Sequence, residues 1–298
     1  MFRMFSLERL TRQGRGALHD GPIAASMHET KATADCAVVV GLCAHGLAIA
    51  RNLRSQGFAV LALESNTENP GTRTRAATVQ FVDDINSDRL VQNLLWLRDT
   101  IAGVRPIPLF VTNDRMVAVV ARNIRALESS YQIPWADAAP TVLKLLSKSN
   151  IKQFADAARL SYPRSVEVRT PDALEAAASE FSFPVIVKPT QPLSQIKAII
   201  FRSKPDLANA APTLAGSMPL VLQEYVDGPE DNTRFAAVVL REGRAVRRLE
   251  GKKLRSRPLG HTTVAVLERD DVLHEATIAF FRGTGYSGIA SLEIKKDA

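Results

Sequence analysis

Between residues 35 and 140, apolar segments of strand length alternate with amphipathic segments of helix length, which restricts the folds open to the chain. The first apolar run, CAVVVGL, is continuous and ends in glycine, as is typical of a buried strand of a parallel sheet. The segment AHGLAIARNLRSQG then has helical periodicity and is closed by Gly57. FAVLALE predicts the next strand, with Glu64 at its carboxyl end. Continued alternation predicts a doubly wound parallel sheet in an α/β domain.

From about residue 143 the pattern changes to paired strands with fewer helices. VIVKPT and IKAIIF predict one strand pair, and FAAVVLREGRAVRRLE predicts a hairpin that turns at Glu242-Gly243. Residues 145–163 predict a single helix ended by proline, and IASLEI predicts a last strand. The second half is therefore predicted to be a separate α+β domain.

The first strand-to-helix turn, GLCAHG, matches only part of the G-x-G-x-x-G pattern that binds dinucleotides. Cys43 stands where a middle glycine would let the backbone approach a pyrophosphate. Glu64 follows at a distance that suits a ribose contact, so an NAD-dependent oxidoreductase is one alternative. Gly41 and Gly46 are equally explained by the tight turn of any βαβ unit. The sequence contains no G-x-x-x-x-G-K-[ST] phosphate loop.

Two lysines lie inside the apolar strands of the segment FPVIVKPTQPLSQIKAII. Side chains alternate along a strand, so Lys188 is predicted to share a face with Ile186, and Lys197 with Ile199. Lysine is almost never fully buried without a partner. A nucleotide triphosphate would satisfy both ammonium groups through charge-assisted hydrogen bonds. The alternative is that both lysines extend to a solvated face of the sheet.

The segment LQEYVDGPED favours the nucleotide hypothesis. An adenine ring needs one donor and one acceptor, which the Glu224 carbonyl and the Val226 amide of an extended backbone would offer. Tyr225 would pack nearby, and the turn that follows would bring Glu230 towards the ribose. By itself, the segment is also explained as a strand followed by a polar turn.

In order along the chain, LLSKSN, FPVIVKP, IKAII, LQEYVDGPE and GIASLEIKKD resemble the ATP-grasp superfamily. The resemblance is to its carboxylate–amine ligase branch, related to D-alanine–D-alanine ligase and biotin carboxylase, and covers roughly residues 36–298. It implies a Rossmann-like pre-ATP-grasp domain over residues 35–142 and an ATP-grasp domain over residues 143–298. A lid would occupy about residues 160–226.

The resemblance also implies residue roles, with ATP and Mg²⁺ as cofactors. The phosphates would be contacted by Lys148, Lys188 and Lys197, and the adenine would be bound by a hinge of Glu224, Tyr225 and Val226. The ribose would be bound by Glu230, and magnesium would be held by Glu293. The acyl phosphate would be faced by Arg255 and Arg257.

The implied activity is an ATP-dependent ligase that forms an amide bond through an acyl-phosphate intermediate. Its substrates would be a small-molecule carboxylate and an amine, amino-acid or peptide-like, with the acceptor near Asn113 and Asp114. A non-catalytic nucleotide-binding module is the alternative from another class.

Two features depart from the family pattern. The TQPLSQ loop has no glycine, whereas many relatives have a glycine-rich phosphate loop there. The sequence ends at KKDA, before the strand with a second metal carboxylate and an asparagine that the family pattern leads us to expect. We therefore expect an incomplete C-terminal subdomain, truncated in nature or in this fragment. We also expect the chain alone to bind ATP weakly and turn over slowly or not at all.

The composition favours a binder of small polyanions over a nucleic-acid or membrane protein. Net charge is +7, but the basic residues are scattered and aromatic residues make up only 6% of the 298 residues. No segment approaches the roughly 18 apolar residues of a membrane span. Cys36 and Cys43 lack metal-site spacing and indicate a reducing, cytoplasmic compartment.

Residues 1–34 carry several arginines and end in small polar residues. The pattern predicts a disordered tail or a translation start placed too far upstream, with Met27 as the alternative start. A mitochondrial presequence is also conceivable from the same composition.

Overall fold

The computed structural model describes residues 35–101, 105–190, 196, 198–256 and 262–295. The chain forms two compact units that divide at Thr141. We refer to the part up to Pro140 as the N-terminal unit and to the part from Thr141 as the C-terminal unit. In the described part of the chain, no helix is both long enough and apolar enough to cross a membrane.

The N-terminal unit contains a parallel five-stranded sheet in the order β3-β2-β1-β4-β5. Its strands are β1 (Cys36–Val40), β2 (Ala59–Glu64), β3 (Thr78–Phe81), β4 (Ile107–Val111) and β5 (Tyr131–Gln132). Its helices are α1 (Ala44–Ser55), α2 (Arg89–Thr100), α3 (Asp114–Arg122) and α4 (Ile124–Leu127). The strand order reverses direction between β1 and β4, so the predicted doubly wound fold is confirmed.

Helix α1 packs closely against the start of its own connection from β1. A Cβ atom added to Gly46 would lie 1.8 Å from the carbonyl oxygen of Gly41, so only glycine permits this approach. Ile49, Ala50 and Leu53 of the same helix are buried against the sheet. Gly41 has a φ of +82°, which glycine adopts without strain. Both glycines therefore have structural explanations.

The C-terminal unit contains two antiparallel four-stranded sheets. The first, the β6–β9 sheet, has the order β6-β9-β7-β8 and consists of β6 (Ser165–Val168), β7 (Val185–Pro189), β8 (Ile199–Phe201) and β9 (Leu220–Glu224). The second, the β10–β13 sheet, has the order β12-β11-β10-β13 and consists of β10 (Thr233–Arg241), β11 (Arg244–Ser256), β12 (Thr262–Leu267) and β13 (Gly288–Lys295). The α+β prediction for this half is confirmed.

The unit also contains α6 (Ile151–Ala157), α7 (Pro171–Ala178), α8 (Lys204–Leu214) and α9 (Asp271–Phe281), and α5 (Ala139–Leu146) begins just before the division. Helices α7 and α8 cover one face of the β6–β9 sheet. There, Leu174 and Leu207 pack with Val187 and Leu222 in an apolar core. Ile199 belongs to the same cluster and pairs with Val187.

The predicted single helix over residues 145–163 is wrong. Helix α5 ends at Leu146, Ser147 has an extended ψ of 122°, and a 3-10 turn covers Lys148–Asn150 before α6. Because Ser147 is extended, the chain changes direction at Lys148.

The predicted hairpin turn is confirmed, since Glu242 and Gly243 both have positive φ, as a two-residue β-hairpin of this kind requires.

Candidate active site

Lys188 lies on the face of the β6–β9 sheet opposite the apolar core. Val185 and Val187 point into that core, so the alternation of β7 places Ile186 and Lys188 on the other face. The ammonium group of Lys188 donates a hydrogen bond to Oε1 of Gln223 at 2.7 Å. The prediction that Lys188 shares a face with Ile186 is thus confirmed.

The surroundings of Lys188 destabilise its charged form. Burial, and after it the nearby ammonium of Lys148, lower the pKa of Lys188 to about 8, with the carboxylate of Glu293 acting in the opposite direction. Lys148 is itself held by β7, because its Nζ donates to the Pro189 carbonyl at 3.1 Å. The structure therefore brings together Lys148, Lys188 and Glu293, which lie far apart in sequence.

The predicted hinge follows directly from the end of β9. The Glu224 amide donates to the Arg164 carbonyl, and the Glu224 carboxylate accepts from the Arg164 amide, each at 2.9 Å. The Tyr225 amide donates to the Pro184 carbonyl at 3.4 Å. A cavity of about 380 Å³ adjoins this segment and is lined by Ser182, Phe183, Pro184, Glu224, Tyr225, Val226 and Asp227. The three hinge residues thus share one concave site.

Strand β13 connects the lysine region with the hinge. Nζ of Lys295 lies 5.1 Å from the centre of the Tyr225 ring, a cation–π distance. Two residues earlier on β13, Glu293 is close enough to Lys188 to affect its pKa. Lys148 and Lys188, the hinge and the predicted metal carboxylate therefore belong to one region of the C-terminal unit.

Glu293 already has a cationic partner within the protein. Its side chain is 51% exposed, and Oε1 lies 2.6 Å from Nζ of Lys253. In the ranges that the structure describes, no three His, Cys, Asp or Glu side chains form a group able to hold a metal. Magnesium in nucleotide sites often uses one or two carboxylates together with phosphate oxygens. Glu293 therefore fits a magnesium site only as a single protein ligand, with phosphate oxygens of the nucleotide supplying further ligands.

Of the four remaining predicted site residues, the structure describes the side chain of one, Arg255. Arg255 is described, on β11, and its side chain is exposed, with no described contact to Lys188, Glu293 or the hinge. Lys197 and Arg257 lie outside the described residues, as does the side chain of Glu230. Their roles stay predictions.

Three further residues contact the predicted site and were missed from the sequence. Gln223 is 6% exposed and bonds Lys188, Lys253 pairs with Glu293, and Lys295 contacts Tyr225. Gln223 did carry a sequence signature, a lone uncharged polar residue in the apolar run LVLQE. Lys253 carried none, because its partner is forty positions away.

In the N-terminal unit, the carboxylate of Glu64 is saturated by protein donors. It accepts from the amides of Leu42, Ser65 and Asn66 and from the side chain of Asn69, at 2.8–3.0 Å. A carboxylate offers about four lone-pair positions, so none remains for a ribose hydroxyl. The geometry disfavours NAD binding at this turn.

No family model and no curated protein sequence matches this chain. Solved structures do match its fold. N5-carboxyaminoimidazole synthetase from Staphylococcus aureus, complexed with ADP, superposes with a TM-score of 0.66 at 13% identity, covering 88% of this chain and 67% of its own. L-amino acid ligase from Bacillus licheniformis superposes with a TM-score of 0.63 at 15% identity, covering 88% of this chain and 64% of its own. Phosphoribosylamine–glycine ligase from Thermotoga maritima superposes with a TM-score of 0.61 at 17% identity, covering 88% of this chain and 66% of its own.

This chain spans about two thirds of the length of each of these proteins. At such identities the likeness establishes the fold and leaves activity to be argued from the site. The chain shares the fold of these structures, an ATP-grasp fold preceded in sequence by a doubly wound α/β unit.

Proposed function

We propose that this protein is an ATP-dependent carboxylate–amine ligase that forms an amide bond through an acyl phosphate. The observation that carries the proposal is the convergence of Lys148, Lys188 and Glu293, with Lys188 bonded to Gln223, the residue before the hinge. Two ammonium groups that repel one another in the absence of a ligand are stabilised by a polyphosphate between them. In this proposal the α/β unit is the pre-grasp domain, over residues 35–142. The ATP-grasp domain covers residues 143–298, and residues 160–226 form the lid of the ATP-grasp domain.

In this proposal Lys148 and Lys188 bind the phosphates of ATP, with Lys197 at the far side of the phosphate loop. The main chain of Glu224 and Val226 binds the adenine edge, and Tyr225 packs beside it. Glu230 accepts hydrogen bonds from the ribose hydroxyls. The phosphate and adenine roles are supported by the placement of Lys148, Lys188 and the hinge in one region.

The chemistry follows from charge. A carboxylate is a poor electrophile because its leaving group would be oxide. Its oxygen therefore attacks the γ-phosphorus of ATP, which releases ADP and gives an acyl phosphate. The amine then attacks the acyl carbon, the phosphate leaves, and the amine loses a proton. The basic side chains neutralise charge on the transferred group, with Arg255 and Arg257 facing the acyl phosphate.

Glu293 would hold the magnesium ion together with phosphate oxygens. When bound, that ion neutralises phosphate charge and orients the transferred group. Lys253 would have to leave Glu293 or share it, because one carboxylate oxygen now accepts its hydrogen bond at 2.6 Å. The same pair favours the second candidate, a nucleotide-binding module without catalysis, in which Lys253 permanently neutralises Glu293.

The substrates would be a small-molecule carboxylate and an amine, with the acceptor near Asn113 and Asp114. Asn113 caps α3 by accepting from the Met116 amide at 2.9 Å, and its amide group donates to Asn86. Asp114, in the first turn of that helix, is the second candidate for a substrate contact.

Two measurements test the proposal. Thermal stabilisation by ATP with Mg²⁺, lost in Lys188→Ala, is expected of either a ligase or a non-catalytic module. Phosphate release that depends on both a carboxylate and an amine, screened with amino acids, is expected only of a ligase. Stabilisation by NADH and not by ATP would instead support an oxidoreductase and overturn the proposal.

A further inference from the structure

Three polar side chains form a row across the site-facing surface of the β6–β9 sheet. Ser165 of β6 lies directly opposite Gln223 of β9 in the register. Gln223 in turn lies opposite Ile186 of β7, so Lys188, two residues along, is its diagonal neighbour on the same face. Diagonal neighbours are within reach of long side chains, and this pair is bonded.

The hydrogen bonds in the row all run in one direction. Lys188 Nζ donates to Gln223 Oε1 at 2.7 Å, and Gln223 Nε2 donates to Ser165 Oγ at 2.7 Å. Ser165 Oγ donates to the Pro163 carbonyl at 2.8 Å. An ammonium group only donates, so the amide oxygen must face Lys188 and the amide nitrogen must face Ser165. The row therefore fixes the orientation of the Gln223 amide.

Gln223 is almost fully buried, at 6% exposure, so losing either partner would leave a desolvated polar group. Its position is also determined by packing, because the alternate residues of β9 lie in the apolar core. A lysine, by contrast, has a long flexible side chain and loses rotamer freedom when it is fixed. Gln223 thus supplies a rigid acceptor to a flexible donor.

We infer that Gln223 is a positioning residue that holds the Lys188 ammonium in place to meet the nucleotide phosphates. This inference rests on the proposed function, and it assigns a specific role to a residue on the strand before the hinge. Gln223 itself need not touch the nucleotide, since it acts through Lys188.

The neutrality of Gln223 matters to this role. The charged groups facing Lys188 are Lys148, from the turn before α6, and Glu293, from β13, which itself pairs with Lys253. A carboxylate at position 223 would neutralise Lys188 and repel the phosphates. An amide oxygen orients the ammonium and leaves its charge available to the ligand.

The test compares two variants of the whole chain with the wild type. Gln223→Met keeps the length and burial but removes both hydrogen bonds, and Gln223→Glu keeps an acceptor but adds charge. Gln80→Met is the matched control, since Gln80 is also on a strand and its side-chain amide donates to the adjacent Phe81 carbonyl, away from Lys188. The readouts are Mg–ADP affinity by calorimetry and the pH dependence of Lys188 acylation by acetic anhydride without nucleotide.

For Gln223→Met we expect about tenfold weaker Mg–ADP binding and a lower pH midpoint of Lys188 acylation, because a lost acceptor destabilises the ammonium. For Gln223→Glu we expect a higher midpoint together with weaker binding. Gln80→Met should match the wild type in both readouts. A merely structural role would change the melting temperature and leave the acylation midpoint of the folded protein unchanged.

The outcomes separate the two claims. Nucleotide binding that requires Lys188 but is unchanged in both Gln223 variants would overturn this inference and leave the proposed function intact. No binding by the wild type, with Lys188→Ala indistinguishable from it, would overturn the proposed function and this inference with it. If Gln223→Met does not fold, the isosteric Gln223→Glu decides through the direction of its acylation midpoint.

Discussion

The two cysteines of the N-terminal unit lie in opposite electrostatic environments. Cys43 precedes α1, is exposed, and has its Sγ 3.8 Å from Nδ1 of His45. The His45 side chain is the main cause that lowers the pKa of Cys43 to about 6. Burial raises the pKa of Cys36, on β1, to about 11.

Because the thiolate is the nucleophile, Cys43 should be alkylated by iodoacetamide with a half-maximal rate near pH 6, whereas Cys36 should react little below about pH 9. Mass spectrometry of the two peptides at a series of pH values measures both rates. In His45→Ala the Cys43 midpoint should move up towards that of an ordinary thiol. Equal reactivity of the two cysteines at neutral pH would contradict this account.

The pKa of Lys188 predicts how nucleotide binding depends on pH. Without nucleotide, the pKa of Lys188 is lowered to about 8, and phosphate oxygens favour its charged form. Mg–ADP affinity should therefore change little between about pH 7 and pH 8 and weaken by about tenfold per pH unit above pH 8. Arginine stays charged, so any binding by Lys188→Arg should be flat across this range. Titration calorimetry at several pH values checks both slopes, and a pH-independent wild type would be inconsistent with a lysine contact.

The sequence predicted where Lys188 lies on its sheet but did not predict the partners of the site residues. The placement of Lys188 followed from the two-residue period of VIVKP, which is local. The partners of Lys188 and Glu293, namely Gln223 and Lys253, depend on strand register and sheet order, and these are set by contacts between distant segments. Pattern alone does not contain that information.

At the scale of elements, β11 and β12 approach each other closely at one glycine. A Cβ atom on Gly251 would lie 2.3 Å from the Val266 carbonyl oxygen and 2.7 Å from the Phe235 ring. A Cβ atom on Gly216, in the same unit, would meet nothing within 4 Å. The two positions are a matched pair of Gly→Ala substitutions.

Gly251→Ala should lower the free energy of unfolding by about 1–3 kcal/mol, since overpacking forces the strands apart. Gly216→Ala should change it by no more than about 0.5 kcal/mol. Urea unfolding followed by circular dichroism measures both. Equal stability of the two variants would show that β12 does not pack on β11 as described.

Elements with strong local patterns were predicted, and those that depend on a partner were not. The hairpin of β10 and β11 has alternation and a turn sequence. Strands β3 and β6 have four residues each, and β12 is exposed along its whole length, so they carry little apolar pattern of their own. They are ordered mainly by pairing with neighbours. The helix predicted over 145–163 failed because helical periodicity continued across the extended Ser147.

For the whole molecule, the order of segments was more informative than any single motif. The alternation of the first half predicted a doubly wound sheet, and the ordered lysine, hinge and carboxylate segments predicted the grasp that follows. The structural likeness to ligases at 13–17% identity agrees with both. Substrate identity depends on side chains that no local pattern specifies.

The central claim is that a nucleoside triphosphate binds in the C-terminal unit with its phosphates at Lys148 and Lys188. An acyl-phosphate derivative of ATP transfers its acyl group to lysine amines beside the bound phosphates, and peptide mass spectrometry identifies the acylated positions. We expect Lys148 and Lys188 to be labelled and to be protected by excess ATP, while Lys204, which bonds Ser179 at the surface, is labelled without protection. ATP-protected labelling at other lysines, with none at 148 or 188, would contradict the account.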